Sequence, residues 1–144
     1  MKTLKNILIG VILLSGCNPT NHMRFDLSRL EPWQKNLFIE AGNYWNMSIK
    51  DDKNSKNAVY LGTVQKPSIA FTNNFYSEDE DNIFYDIAFD KEEMWNDCSK
   101  DRNTEGYDFF EISKHELGHV LGKKHSENPK DIMYHYIAER CKNE

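Results

Sequence analysis

The 144-residue chain has little of what most alternatives to a single folded domain would require. Proline occurs four times and glycine seven, with no repeat or low-complexity tract, which excludes collagen-like and solenoid chains. Positive charge is in short supply: 18 Lys plus Arg against 23 Asp plus Glu leave a net charge of −5. Such a balance offers no basic face for a nucleic acid or an anionic membrane surface, and no nucleic-acid partner is expected. Long hydrophobic runs are also missing, since the longest (residues 7–14) falls far short of the ~20 residues that a membrane-spanning helix needs. What is present is 39% hydrophobic and 12% aromatic, enough to bury a core, and 144 residues are long enough for one core and too short for two ordinary domains.

The short apolar run has its own meaning. Lys2 and Lys5 precede Ile7-Leu8-Ile9-Gly10-Val11-Ile12-Leu13-Leu14, which runs into Ser15-Gly16-Cys17. A charged start, a brief apolar stretch and small residues at its end predict a secretory signal over residues 1–16. A buried N-terminal helix is the alternative, and it would lack both a polar face and a capping residue. Leu14-Ser15-Gly16-Cys17 resembles the lipobox of bacterial lipoproteins. That resemblance implies cleavage before Cys17, lipid attachment there, and an exported protein, either held to the cell envelope or extracellular. In a Gram-negative host, Asn18 after the cysteine resembles the outer-membrane sorting pattern. The rival is an ordinary signal peptide with Cys17 as an incidental thiol.

Once Cys17 carries lipid, Cys98 and Cys141 remain to pair in an oxidising compartment, where closing so long a loop contributes about 4 kcal/mol on the chain-entropy model. Two free or metal-binding thiols are the alternative. Residues 17–22 read as a polar tether and 23–144 as one domain. Pro32 suits a first helical position, and Trp33, Leu37, Phe38, Ala41, Tyr44 and Trp45 follow at helical spacing, which predicts an amphipathic helix from Pro32 to Met47. Asp51 to Asn57 reads as a polar loop. Ala58–Val64, Ser68–Phe75 and Ile83–Phe89 are β-rich runs, with the acidic stretch Glu78-Asp79-Glu80-Asp81 as a solvated loop between the last two. Asp108 with Glu111 three residues on forms a capping pair for a second helix over Phe109–Leu121, and Gly122 is a left-handed stop. Helix, strands, helix and an irregular tail predict an α+β domain.

The second helix contains His115-Glu116-Leu117-Gly118-His119. Residues i and i+4 stand about 40° apart around a helix, so both imidazoles leave one face and can bind one Zn²⁺, with Glu116 beside them. Alone, the five residues are also what a solvent-exposed charged helix could carry. The continuation is more specific. Gly122 can turn the chain with positive φ, returning His125 as a third ligand, and Met133 follows in Asp131-Ile132-Met133-Tyr134. Taken together, His115 to His125 plus Met133 resembles the metzincin clan of zinc peptidases. Asp90-Lys91-Glu92-Glu93-Met94-Trp95 and Ile132-Met133-Tyr134 resemble the matrixin (matrix-metalloproteinase-like) branch.

The resemblance implies a twisted, mostly parallel β-sheet with a backing helix, an active-site helix and a methionine-containing turn. It implies a monomeric zinc endopeptidase acting on proteins or peptides: His115, His119 and His125 as ligands, Glu116 as general base, and Met133 as an apolar floor. Tyr134, His135 and Tyr136 would line a substrate pocket. The tyrosine that some clan members offer the metal is His135 here, so that switch is not expected, nor is a second zinc, since only His22 and His135 remain. Asp90 and Glu93 fall where the family places calcium ligands; without a supporting acidic loop they read as a solvated carboxylate pair. The alternatives are a non-catalytic lipoprotein with a structural or degenerate zinc site, or an interaction lipoprotein. A structural site would normally close with four protein ligands, and no fourth is evident.

Overall fold

Residues 21–100, 105–135 and 141 are described by a computed structural model. The chain begins in a strand where period-2 alternation is clean: in β1 (Asn21–Arg29) Phe25 and Leu27 are fully buried while Arg24 and Ser28 point outward. The assignment of Asn21 and His22 to a tether is therefore corrected, because both pair with the next strand of the sheet. Helix α1 (Pro32–Tyr44) follows, with Pro32 at its first turn and the Glu31 N–H donating to Gln34 Oε1 at 3.0 Å.

The first helix stops three residues short of the expected Met47. Asn46 takes a left-handed conformation (φ 53°), which reverses the chain directly into β2 (Met47–Asp51). The reversal is tight enough to need Gly42, since a Cβ there would lie 2.7 Å from the Met47 carbonyl oxygen. Strands β3 (Ala58–Gly62), β4 (Ala70–Ser77) and β5 (Asn82–Asp90) match the three expected β-rich runs to within two residues. Short strands β6 (Trp95–Asn96) and β7 (Tyr107–Asp108) pair in parallel and lead into α2 (Phe109–Val120).

The five main strands stand in the order β2-β1-β3-β5-β4. All neighbours are parallel except β4, which runs antiparallel to β5 and forms one edge. This is the α+β architecture that the element order predicts, with the mostly parallel sheet that the family resemblance implies. Helix α2 packs against α1 and against β4. The core between helices and sheet is heavily aromatic: Phe25, Phe38, Phe89 and Phe109 are fully buried, and Phe109 stacks at 4.4 Å on Phe89 and meets Trp95 edge-on. Trp95 is held in place by donating its indole N–H to the Asp90 carbonyl (2.7 Å). Cys98 and Cys141 are joined in a disulfide that bridges 43 positions of sequence. Among the described residues no helix is long and apolar enough to cross a membrane.

Candidate metal centre and cleft

Helix α2 starts where Asp108 accepts hydrogen bonds from the Phe110 and Glu111 backbone N–H groups (3.0 and 3.3 Å). Glu111 does not reciprocate as the capping pair predicts; its carboxylate pairs with Lys114 at 2.5 Å. One helical turn further on, His115 and His119 leave the same face, with ring centroids 4.8 Å apart. Two residues past the helix, Gly122, with a φ of 76°, bends the chain so that His125 faces them, 4.8 Å from His119 and 5.2 Å from His115.

Hydrogen bonds fix which ring nitrogens face inward. His115 donates Nδ1–H to the Ile132 carbonyl at 2.8 Å, and His119 donates Nδ1–H to the Lys123 carbonyl at 2.9 Å. A carbonyl can only accept, so the neutral rings carry their lone pairs on Nε2. Those nitrogens converge: His119 Nε2 lies 3.1 Å from His115 Nε2 and 3.2 Å from His125 Nε2. Facing lone pairs repel unless a cation sits among them. Nitrogens bound at about 2.0–2.1 Å to one tetrahedral zinc stand roughly 3.3 Å apart, so the donor set fits that ion. Burial pulls His115 down to about 4, helped by its two histidine neighbours, and it lowers His125 as well. Both shifts favour the unprotonated form that a metal requires.

Beneath the rings, Met133 is buried, and Gly118 makes room for it: a Cβ at residue 118 would come within 2.3 Å of its sulfur. Glu116, 4% exposed, lines the cleft beside the histidines. Loss of water around its carboxylate pushes it up to about 7, against a hydrogen bond from Thr72 that favours the ionised form. The cleft holds about 630 Å³, and its long wall is Pro67 to Thr72 with Asn74, the start of edge strand β4 and the loop before it.

The family profile described as matrixin matches residues 30–144. The chain belongs to the matrixin family. Over 49 residues it is 45% identical to macrophage metalloelastase of Rattus norvegicus, covering 34% of this chain and 10% of that protein. It is 50% identical over 48 residues to matrix metalloproteinase-25 of Homo sapiens (33% and 8%) and 41% identical over 49 residues to matrilysin of Felis catus (34% and 17%). The stretch shared with these curated relatives is therefore between 8% and 17% of their length. As a matrixin, the chain belongs to a zinc-dependent metalloendopeptidase family, and His115, His119 and His125 form a group able to hold a metal ion.

Two expectations for this matrixin are corrected. Asp90 and Glu93 are not a solvated pair: the Asp90 side chain is 2% exposed, Lys66 Nζ approaches it at 3.0 Å, and the same ammonium contacts the Glu93 carboxylate. Lys66 and the Glu92 backbone N–H, the latter first, hold the Asp90 carboxyl below the usual range. Tyr134 does not line the cleft. Its N–H closes the turn on the Asp131 carbonyl and its backbone bridges to Ser126, which sets its ring against His135, 4.8 Å away. His135 does line the cleft, while Tyr136 and Cys17 lie outside the described residues. The residues that sequence reasoning missed are Lys66, Thr72, Tyr107 and Ile112. Each is placed by pairing across the sheet or by helix packing, for which the local sequence holds no signal.

Proposed function

We propose that this matrixin is a zinc-dependent endopeptidase, with His115, His119 and His125 as the zinc ligands and Glu116 as the general base. The single observation that carries this is the convergence of three Nε2 atoms on an open cleft that a buried carboxylate also lines. Three ligands, rather than four, are what a catalytic site uses to keep a coordination position open, and among the described residues the metal-binding group numbers three. Zinc, when bound, would supply Lewis acidity that activates water and polarises the scissile carbonyl.

The chain's own residues do the rest. Glu116 accepts a proton from the attacking water and passes it to the leaving amine. Its raised proton affinity suits both steps, because a base near 7 can take and release a proton at neutral pH. Edge strand β4, open on one side, offers its backbone to an extended peptide as an added strand, which supports protein or peptide substrates. Met133 holds the floor on which His115 is oriented through the neighbouring Ile132 carbonyl.

For the whole protein we propose export, attachment to the bacterial envelope through lipid on Cys17, and action as a monomer. The decisive experiment uses purified protein. One equivalent of zinc and chelator-sensitive cleavage of casein or a peptide library are expected. Glu116→Ala should keep the zinc and lose about 10²- to 10⁴-fold in rate. Unchanged cleavage by that variant would refute the assignment. Labelling of the wild type with a radioactive fatty acid, lost in Cys17→Ser, checks the anchor; label retained in the variant would refute it.

A further inference from the structure

We propose that Thr72 is a positioning residue that fixes the orientation of the Glu116 carboxylate from the strand that borders the cleft. This rests on the role proposed above for Glu116. Thr72 Oγ1 lies 2.7 Å from Glu116 Oε2 and 3.1 Å from the Glu116 backbone oxygen. A threonine hydroxyl has one proton, and the shorter approach to the charged oxygen commits it to Oε2. That one hydrogen bond ties the carboxylate of residue 116 to β4.

The site needs such a tie. Glu116 is almost fully buried, so bulk water does little to hold its carboxylate in one orientation. A flexible glutamate with three rotatable bonds would sample several orientations, and proton transfer tolerates only a narrow one. With Oε2 engaged by Thr72, proton exchange falls to Oε1: a proton leaves the attacking water for Oε1 and leaves Oε1 for the amine nitrogen. Thr72 itself neither gains nor loses a proton. Its place on β4 adds a second consequence. Ile87 of β5, opposite Thr72 in register, is fully buried, which anchors the strand at this residue. The base is therefore held by the same rigid element proposed to hold the peptide, so substrate and base share one frame.

Thr72→Val keeps the shape and removes the hydroxyl, while Thr72→Ser keeps the hydroxyl. We expect Val to lower kcat about 10- to 100-fold, the range set by loss of a hydrogen bond to a charged group, with KM within about twofold. Ser should restore kcat to within about threefold, and zinc content should be the same in all three proteins. Wild-type kcat in the Val variant, equal damage by Val and Ser, or a KM that rises in step with the loss would each overturn the proposal. Crystal structures of the zinc-loaded proteins read the positioning whether or not any peptide is cleaved. One carboxylate orientation is expected in wild type and Thr72→Ser, and a displaced or divided one in Thr72→Val; an undisturbed Glu116 in Val would refute the tie. A wild type that binds zinc yet cleaves nothing would instead count against the endopeptidase reading alone.

Discussion

Gly118→Ala sets two effects of opposite sign against each other inside the proposed active-site helix. On helix preference alone, alanine should stabilise α2 by up to about 1 kcal/mol. The packing says otherwise. The new methyl would stand 2.3 Å from Met133 Sδ and 3.1 Å from both Met133 Cε and Trp45 Cζ2, where carbon contacts are most favourable at about 3.5–4.0 Å. Met133 has to move by more than an ångström, and it is 3% exposed with its N–H bound to Asp131 at 2.9 Å. Trp45 cannot yield freely, because its indole donates to the Lys114 carbonyl at 2.7 Å. Overpacking of this kind costs about 1–3 kcal/mol, so the net expectation is a loss of about 1–2 kcal/mol.

For a domain of this size that loss lowers Tm by about 4–8 °C. A second readout follows from the chain path: residue 132, next to Met133, supplies the carbonyl that orients His115, so displacing the methionine should weaken zinc binding about tenfold. Thermal melts of the metal-free protein and competition with a chromogenic chelator measure the two quantities. A variant with raised Tm and unaltered zinc affinity would show that helix preference governs and that the methionine floor is not tightly packed.

Breaking the Cys98–Cys141 bridge by paired serine substitution should remove up to about 4 kcal/mol, the loop-closure value for 43 positions, as urea denaturation would show; an unchanged midpoint would mean the disulfide is dispensable. Lys66→Met should lower Tm by stranding the buried Asp90 carboxylate, and millimolar calcium should restore part of the loss while leaving the wild type unmoved. Calcium-dependent melting of the wild type would refute this. In the metal-free protein between pH 4.5 and 6.5, His115 binds a proton only when unfolded and Glu116 only when folded, so their contributions cancel. Glu116→Gln removes one of the two. That variant should therefore lose about 1.4 kcal/mol more per pH unit than wild type on acidification through this window, and parallel stability curves would contradict it.

The site was legible in the sequence to the extent that it is local. His115 and His119 share a helical face by spacing alone, Asp108 marks where that face begins, and Gly122 marks where it turns. The strand of Asn21–Arg29 was not read from the sequence: Met23, Phe25 and Leu27 alternate, but the stretch is short and follows residues expected to form a leader and a tether. Nor was the end of the first helix: Tyr44-Trp45 prolongs the apolar pattern, and only the left-handed Asn46 ends it. Lys66 was beyond sequence reasoning for a different reason. Twenty-four residues separate it from Asp90, and the encounter depends on β3 and β5 lying in parallel register. Thr72 is the same case, an ordinary strand residue whose meaning comes from the helix packed across it.

The ammonium between Asp90 and Glu93 belongs to the loop that leads into the cleft wall at Pro67. A brace covalently attached to the chain cannot be diluted away or stripped by a sequestering agent. The wall's contour is thus set at folding and travels with the molecule, so a chelator applied to this protein should act on the histidine centre and leave the neighbouring wall standing.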